Sequence, residues 1–409
     1  MSAGSTWAGS HEYAATDVVH PSSVEEVAAL VTAQPRVRAL GTRHSFTDLA
    51  DTPGVLIALD RLGDEPSLVG SRVRVPAGMR YGDLAVWLQE RGRGLANLAS
   101  LPHISVAGAV ATGTHGSGVG NGSLATAVAA LELVDGRGAT VRLERGDADF
   151  DGAVVGLGAL GIVTHLELDT EPTFEVSQTV HEGLAWPALL GGLEEVLSAA
   201  YSVSVFTRWT GSEVGQVWVK SRSGDPAVAG ARPAPEQRHM IPGMSVDLTT
   251  PQLGVPGPWH ERLPHFRLGF LPSSGEELQT EYLLPRARGA EALAALRPLA
   301  EDIAAVLHVT ELRTIAADRL WLSGAYEQDS LAIHFTWHRS PSAVADLLPR
   351  LEERLLPLGA RPHWGKVFSA QAADLAPLYP RWDDFRALAD RYDPDRRFRN
   401  DWLAGSLAI

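Results

Sequence analysis

Cysteine is absent from this chain of 409 residues. Without a thiol, the protein cannot form disulfides, iron–sulfur clusters or cysteine–zinc sites, and it has no thiol nucleophile. A cofactor bound through cysteine is excluded for the same reason.

Long apolar stretches are also missing. The longest run of apolar residues and glycine covers about residues 154–163, well short of the ~20 residues that a membrane-spanning helix requires. Residues 1–13 contain no basic segment followed by an apolar one, so we expect no Sec-type signal peptide. These features predict a cytoplasmic protein without a membrane partner.

Positive charge is scarce. Lys and Arg total 35 against 49 Asp and Glu, which gives a formal net charge of −14. Because such an acidic chain repels a phosphate backbone, nucleic acid is not an expected partner. The apolar fraction of 45% and the charged fraction of 21% are ordinary for a soluble globular protein. The length predicts two or three domains.

Several nucleotide-binding and hydrolase motifs are missing as well. No Walker A loop, H-E-x-x-H motif or G-x-S-x-G motif occurs. The pattern G-x-G-x-x-G occurs once, from Gly156 to Gly161. Residues 162–168 after it resemble a strand, whereas the dinucleotide-binding motif opens a helix. NAD binding by that route, NTP hydrolysis, zinc proteolysis and α/β-hydrolase chemistry therefore lose support.

Hydrophobic periodicity predicts short helices that alternate with strands, which indicates an α/β or α+β fold. The pattern changes near residue 170, and eight prolines within residues 226–264 predict a long ordered excursion. We predict a first domain over residues 1–170, a second over 171–366, and a helical tail over 367–409 that returns to the first. Strands are predicted at residues 37–40, 55–59, 73–75, 203–207 and 217–220.

Residues 100–122 are rich in glycine, which supplies five of the ten residues from 113 to 122. Such a segment is a poor helix or strand. A flexible surface linker is one interpretation. The apolar residues in the segment favour the other, a glycine-rich loop whose backbone closely approaches a ligand. These apolar residues are Ile104, Val106, Val110 and Val119.

A predicted strand at residues 331–338 carries two histidines. Alternation assigns one face of this strand to the core and places His334, Thr336 and His338 on the other face. Periodicity alone favours solvent at that second face over the floor of a polar pocket. His334 and His338 are four positions apart on a strand, which is too far for two ligands of one metal ion. No metal site is therefore predicted.

Other polar residues, elsewhere in the sequence, are candidates for the same site. Glu311 and Arg313 share a strand face, an arrangement that is common in surface ion-pair ladders. Lys366 follows a turn, where lysine is usually exposed. If these residues met His334 and Thr336, they would form one site suited to a polyhydroxyl substrate. Their spacing does not establish that they meet.

Taken together, the motifs resemble those of the bacterial alditol oxidases, which belong to the FAD-linked oxidase superfamily of the vanillyl-alcohol oxidase type. They run in order over nearly the whole chain. The matching stretches are LGTRHSF at 40–46, SLPHISVAG at 100–108, TGTHGSGVGNGS at 112–123, LGALGIVT at 157–164, GVPGPWHERLPHF at 254–266, ELRT at 311–314, HFTW at 334–337 and PHWGKVF at 362–368.

The resemblance implies an α+β fold, with a two-part FAD-binding domain of the PCMH type and an inserted α+β substrate, or cap, domain. It implies FAD that is linked covalently at its 8α position through His44, although a lone histidine in a polar turn is usually a surface residue. Where this family often has glycine, the chain has Arg43, which restricts the backbone if φ is positive. The implied cofactor-binding residues are Leu40, Gly41, Thr42, Arg43, His44, Ser45, Ser100, Ser105, Gly108, Thr112, Gly113, Thr114, His115 and Val163.

The resemblance also implies a reaction. The terminal primary alcohol of a polyol such as xylitol or sorbitol is oxidised to an aldose, with hydride transfer to flavin N5 and reduction of O2 to hydrogen peroxide. The implied catalytic residues are Lys366 and His334, either of which could take the hydroxyl proton, and Arg313, which stabilises negative charge. The implied substrate-binding residues are Ser100, Glu311, Arg313, Thr336, His363 and Lys366.

Two alternatives stay open. A sugar-1,4-lactone oxidase or dehydrogenase of the same superfamily would share the FAD-binding domain and would differ in substrate. A flavin- or sugar-binding protein without turnover would bind these ligands without flavin reduction. In the main interpretation the partners are the polyol and O2, and we expect a monomer.

Overall fold

The computed structural model describes residues 3–63, 65–269 and 275–409, and the statements below concern these residues. Up to residue 170 the chain alternates short strands with helices. In chain order these are β1 (Asp17–Val19), α1 (Val24–Ala33), β2 (Val37–Leu40), β3 (Val55–Ala58), β4 (Ser67–Val69), β5 (Arg72–Pro76), α2 (Tyr81–Gln89), β6 (Arg93–Gly94), α3 (Val106–Ala111), β7 (Val128–Val134), β8 (Thr140–Glu144), α4 (Phe150–Ala153) and β9 (Ile162–Asp169).

Longer strands follow, and the chain then ends in helices. The elements from residue 171 to 366 are β10 (Glu171–Pro172), β11 (Glu175–Glu182), α5 (Trp186–Gly191), α6 (Leu193–Leu197), β12 (Ser202–Thr207), β13 (Gln216–Ser221), β14 (Arg232–Pro233), β15 (Gly257–Pro258), β16 (Glu277–Pro285), α7 (Gly289–Leu296), α8 (Ala300–Val306), β17 (Leu307–Ile315), β18 (Ser330–His338), α9 (Pro341–Leu355) and β19 (Arg361–Pro362). The tail contains α10 (Ala372–Leu375), α11 (Trp382–Tyr392) and α12 (Asp401–Leu407).

The first part contains two sheets that share a core with the C-terminal tail. One sheet is parallel, in the order β1-β3-β2, and the other is antiparallel, in the order β4-β5-β9-β7-β8. Their core joins Ile57 and Leu166 to Phe385 and Leu403 of the tail helices. The tail therefore packs on the first part of the chain, although about 200 residues of other structure intervene.

The second part is built on one large antiparallel sheet, in the order β14-β11-β13-β12-β17-β18-β16-β19, with β15 paired to β11. One face of this sheet is apolar and packs against helices, as the contacts of Ile333 and Phe335 with Leu293 and Leu347 illustrate. Because side chains alternate across a strand, the residues between these positions point to the opposite face. That opposite face carries the polar residues of the site.

All the predicted strands are present in the structure, and no predicted strand end differs from the observed one by more than one residue. The glycine-rich segment differs from expectation in its first half, where α3 forms a short helix because the glycines concentrate after residue 112. The second half is not a surface linker, since His115, Ser117 and Asn121 are buried there. The excursion at residues 226–264 contains only two-residue strands and 3-10 turns.

The architecture is α+β, as expected from the sequence. The two largest hydrophobic clusters lie mainly on either side of residue 170, but Val176, Trp321 and Trp364 pack in the first cluster and Phe46 packs in the second. The boundaries at residues 170 and 366 stay a prediction.

In the described parts of the chain, no helix combines the length and the apolar character needed to cross a bilayer.

Candidate active site

A cavity of about 860 Å³ lies where the two parts of the chain meet. One wall comes from the loop after β2 and from α3, and the other from the polar face of the large sheet. Apart from Gly113, every residue predicted to bind cofactor or substrate lines this cavity. Residues far apart in the sequence therefore share one space.

His44 lies in the loop after β2, against the N-terminal segment. Its ring stacks on the Trp7 ring, with centroids 5.3 Å apart and planes inclined by 22°. Both ring nitrogens are shielded from solvent, and among the described residues neither makes a hydrogen bond of regular geometry, although the nearby Thr42 backbone favours the charged ring. Burial, with a smaller contribution from His103, lowers the pKa of His44 to about 4. The turn thus presents a neutral imidazole with an unused lone pair at the cavity wall.

Arg43, next to it, adopts a positive φ of 64°, which is uncommon for a residue other than glycine. The N-terminal segment holds this conformation. The Arg43 guanidinium donates a 2.7 Å hydrogen bond to the Ala3 carbonyl oxygen and lies 5.2 Å from the centre of the Tyr13 ring. The backbone carbonyl of Arg43 accepts a hydrogen bond from the Trp7 amide. The strained turn is therefore fixed by contacts on both sides.

The same loop packs tightly on the start of α3. A Cβ atom on Gly41 would lie 2.6 Å from Ser105 Oγ, and one on Gly108 would lie 2.8 Å from the same oxygen. The Ser105 amide donates to Thr42 Oγ1 at 3.0 Å. Glycine suits positions 41 and 108 because a side chain at either one would have to displace the Ser105 hydroxyl or would occupy the groove. The result is a backbone-lined cradle that suits a long ligand.

Strand register assembles the opposite wall. Glu281 of β16 and Glu311 of β17 both lie directly opposite His334 of β18, and Gln279 lies opposite Thr336. Side chains at such paired positions are about 5 Å apart at their Cβ atoms. Five polar residues from three neighbouring strands consequently form one continuous surface.

Arg313 binds the two carboxylates of this surface. Its Nη2 donates a 2.7 Å hydrogen bond to Glu281 Oε1, and its Nε lies 3.7 Å from Glu311 Oε1. Its Nη1 donates to Ser100 Oγ and to the His115 carbonyl oxygen, both at 3.3 Å. Burial alone would raise the pKa of each glutamate, but the charge of Arg313 and the nearby histidines hold both values well below the ordinary one.

His334 is a neutral imidazole whose tautomer follows from its neighbours. Its Nδ1 lies 3.3 Å from Glu281 Oε2, which as a carboxylate oxygen only accepts, so Nδ1 carries the hydrogen. Its Nε2 lies 3.1 Å from Thr336 Oγ1 and accepts from that hydroxyl. Burial, together with the charge of Lys366, lowers the pKa of His334 to about 4. The Nε2 lone pair at the cavity wall is thus engaged by Thr336, and a ligand hydroxyl would bind it in exchange for that hydrogen bond.

Lys366 supplies an ammonium group to the same wall. Its Nζ donates to Gln279 Oε1, lies 4.0 Å from Glu281 Oε2 and lies 5.5 Å from the centre of the Phe46 ring. Burial lowers the pKa of Lys366 to about 8, an effect that Glu281 opposes. At neutral pH the side chain remains mostly charged, unlike that of His334.

His363 and His115 complete the site beside Glu281. The Gly365 amide donates to His363 Nδ1 at 3.1 Å, and burial holds the pKa of His363 well below its usual value. Metal-ligating atoms of His115, Glu281 and His363 lie within 4.8 Å of one another. Because Arg313 already binds the Glu281 carboxylate and His363 Nδ1 already accepts a hydrogen bond, we interpret the cluster as a hydrogen-bond network. The absence of a metal stays a prediction.

Local pattern alone favours solvent at His334 and Thr336 and a surface ladder for Glu311 and Arg313. The structure shows neither, since all four residues are at most 8% exposed. The sequence analysis also missed Glu281 and Gln279, which are central to the wall. A signal was present, because Glu277, Gln279 and Glu281 alternate with the residues of a core-facing stripe.

Comparisons with known proteins identify the family of this chain. One matching family model is described as an FAD binding domain and covers residues 15–144, and the other is described as D-arabinono-1,4-lactone oxidase and covers residues 276–405. The chain is 48% identical to alditol oxidase from Streptomyces sp. (strain IKD472 / FERM P-14339), over 98% of each chain. It is 30% identical to L-gulono-1,4-lactone dehydrogenase from Mycobacterium tuberculosis, over 97% of each.

Solved structures of cholesterol oxidase share the fold. The enzyme from B. sterolicum matches with a TM-score of 0.77 and 17% identity, covering 98% of this chain and 95% of its own. The fold and the cavity define an FAD-binding oxidoreductase, with a two-part FAD-binding domain of the vanillyl-alcohol oxidase (PCMH) type and an inserted α+β cap domain. At 48% identity over nearly its full length, the chain belongs to the alditol oxidase family of these FAD-linked enzymes.

The buried histidines predict a pH-dependent stability. The pKa values of His265 and His334 fall from an ordinary 6.5 to about 4 in the folded protein, mainly through burial. Between those values the unfolded chain binds more protons, so stability is complete above about pH 6.5 and is lost as the pH falls toward 4. We expect the Tm at pH 5 to be about 5 °C or more below that at pH 7.5.

Differential scanning fluorimetry across this range measures the effect. The variant His334→Asn removes one of the titrating groups and should show a shallower decline than the wild type. A Tm that is unchanged between pH 7.5 and 5 would contradict the interpretation of these histidines as buried and neutral.

Proposed function

We propose that this protein is an FAD-dependent alditol oxidase that converts the terminal primary alcohol of a polyol such as xylitol or sorbitol to an aldose. The observation that carries the proposal is a single cavity with two unlike walls. One wall is a backbone-lined cradle with His44, and the other combines a neutral imidazole, an ammonium and a guanidinium on a polar strand face. The first suits FAD and the second suits a chain of hydroxyl groups.

FAD supplies the redox chemistry when bound, since it accepts the hydride from the carbinol carbon and returns two electrons and two protons to O2 as hydrogen peroxide. The residues that would hold it are those of the cradle, with Gly41, Thr42, Ser105 and Gly108 at its narrowest point. His44 would bind it covalently at the 8α position, because neither of its ring nitrogens makes a hydrogen bond of regular geometry to the described residues.

His334 is the proposed base for the reacting hydroxyl. Its Nε2 is an acceptor on the cavity wall, and its Nδ1–H bond to Glu281 orients the ring and stabilises the positive charge that the ring gains with the proton. With a pKa of about 4 it is unprotonated at neutral pH. This arrangement favours His334 over Lys366, which holds its proton until about pH 8.

Lys366 and Arg313 are the proposed electrostatic groups. Both are cations with little solvent around them, where a charge acts more strongly on a developing negative charge than it does in water. Lys366 donates a hydrogen bond to the reacting oxygen, and Arg313 stabilises negative charge and holds Ser100 in place.

The remaining polar groups bind the rest of the polyol. Glu311 and Thr336 lie on the same face and can each pair with a hydroxyl, since a carboxylate accepts and a hydroxyl group does both. Ser100 borders the face from the other wall, and His363 lies beside Glu281 at its edge. A linear substrate would therefore lie along the strands and exchange its water contacts for these groups.

An anaerobic spectrum of the purified holoenzyme tests the function. Adding xylitol should bleach the flavin bands, and admitting air should restore them with formation of hydrogen peroxide. The same experiment with L-gulono-1,4-lactone should give slower or no bleaching. A flavin spectrum that xylitol leaves unchanged would overturn the assignment to alditols.

The second candidate, a sugar-1,4-lactone oxidoreductase, has support in the match of residues 276–405 to a D-arabinono-1,4-lactone oxidase model and in the 30% identical lactone dehydrogenase. The relative at 48% identity is an alditol oxidase, which ranks the lactone substrates second. Bleaching by the lactone and not by xylitol would reverse that ranking.

A cytoplasmic, monomeric enzyme is also part of the proposal, and light scattering on the purified protein tests its oligomeric state.

A further inference from the structure

Lys220 on β13 is a buried cation that the mechanism above does not use. It is 1% exposed, and lysine is almost never buried to this degree without partners. The chain has only two lysines among its 35 basic residues, and the other is Lys366 in the site. Arginine serves everywhere else, which indicates that these two positions require the compact three-donor geometry of an ammonium.

Three acceptors surround the Lys220 ammonium. Its Nζ donates to the carbonyl oxygens of Leu263 and Pro264 and lies 3.0 Å from His265 Nδ1. A charged lysine has three donors and no acceptor. With two donors given to carbonyl oxygens, the third belongs to Nδ1, which must then accept.

The other ring nitrogen of His265 contacts Glu311 on the polar face of the large sheet. This Nε2 atom lies 2.8 Å from Glu311 Oε1, which as a carboxylate oxygen only accepts. In a neutral imidazole with an accepting Nδ1, the hydrogen is on Nε2, so His265 donates to Glu311. Transfer of the lysine proton to the imidazole would reverse this arrangement, and it is disfavoured because burial lowers the pKa of His265 to about 4 and that of Lys220 only to about 7.

The His265 ring is held in this orientation by packing. Phe206 and Trp218 contact it edge to face, with centroids 5.5 and 5.2 Å away. A flipped ring would place the wrong nitrogen toward Lys220. The charged groups nearest the pair are Glu311 and Arg313, both on β17.

We propose that Lys220 is a positioning residue for substrate binding, which fixes the Nε2–H tautomer of His265 and through it the orientation of the Glu311 carboxylate. This inference rests on the proposed function for the role of Glu311 toward the polyol. Lys220 touches neither substrate nor cofactor in this arrangement, since it does not line the cavity. A carboxylate with one oxygen held by His265 keeps its other oxygen free for a hydroxyl group.

The tautomer can be measured directly in the wild-type holoenzyme. Protein labelled with ¹⁵N-histidine, with the His265 signals assigned through His265→Gln, should show at pH 7 a hydrogen on Nε2 and none on Nδ1. A hydrogen on Nδ1, alone or together with Nε2, would overturn the proposal. This readout requires no activity and no variant of Lys220.

A double-mutant cycle tests the consequence for substrate binding. We expect Lys220→Met to raise the xylitol dissociation constant, measured from anaerobic flavin reduction, by about 10-fold or more, the scale of a hydrogen bond to a charged group. In a Glu311→Gln background the same change should have less than about a 2-fold effect, because the two residues act through one contact. Lys220→Arg should not restore binding, since a planar guanidinium cannot reach three acceptors around one point.

The outcomes separate this inference from the proposed function. Equal effects of Lys220→Met in both backgrounds would show a general structural role and overturn the proposal. If Glu311→Gln alone left the dissociation constant unchanged, the substrate-binding role of Glu311 would be wrong, and so would the functional part of this inference. FAD content and Tm of each variant, measured alongside, distinguish these results from misfolding.

Discussion

Replacing His44 with alanine should leave no flavin covalently attached to the protein. The expected loss is complete because alanine has no nucleophile and the chain has no cysteine that could replace the histidine. The cradle formed by Gly41, Thr42 and Ser105 remains, so FAD should still bind and be released by acid or heat. In-gel flavin fluorescence after denaturation, compared with FAD in the supernatant, measures both fractions.

A matched control lies in the same region. His11 is a half-buried histidine paired with Asp51 at 2.8 Å, and it does not line the cavity. The variant His11→Ala should keep the covalently bound flavin. A fluorescent band that persists in His44→Ala would contradict the proposed linkage, and so would a wild-type protein that releases all its FAD on denaturation.

Replacing Lys366 with methionine should lower the rate constant for flavin reduction by about 100- to 1,000-fold, as removal of a preorganised charge from a transition state does. Methionine retains much of the side-chain length but loses the ammonium that lies 4.0 Å from Glu281. Stopped-flow reduction under anaerobic conditions isolates this step. A surface-cation control, Arg238→Met, removes a charge paired with Glu182 outside the cavity and should change the rate little.

The pH profile distinguishes the two candidates for the base. With a pKa of about 8, Lys366 is charged below that pH and loses its proton above it. If it acts as a cation and His334 is the base, the wild-type rate falls as the pH rises through about 8. The Lys366→Met variant should lack this limb. A wild-type rate that rises through pH 8 and flattens in Lys366→Met would assign the base to Lys366 instead.

Much of the fold follows from local pattern. The alternation in residues 331–338 predicts β18, and the apolar run at residues 37–40 predicts β2. The change of pattern near residue 170 falls close to the point where the chain passes from β9 of the first antiparallel sheet to β11 of the large sheet. Each of these features depends on neighbours within a few residues, so periodicity is sufficient to detect it.

Local sequence pattern indicates only part of the site. The resemblance to a known family supplied its residue set, and the structure brings all but Gly113 of that set to one cavity. Glu281, the residue that links Arg313 to His334, was missed because a glutamate on a polar stripe has the same local pattern whether the stripe faces solvent or a pocket. His265 and Lys220 gave no local signal of their connection to Glu311.

The sequence alone determined the class of chemistry. Lack of cysteine excluded a thiol-linked cofactor, the acidic composition argued against nucleic acid as a partner, and the motifs identified an FAD-linked oxidase. Only the tertiary structure decided which polar residues are buried and which atoms face each other. Register across β16, β17 and β18 sets those contacts, and register depends on packing between segments that are distant in the chain. The same packing removes water, and it thereby keeps the His334 imidazole neutral while Lys366 remains mostly a cation at neutral pH.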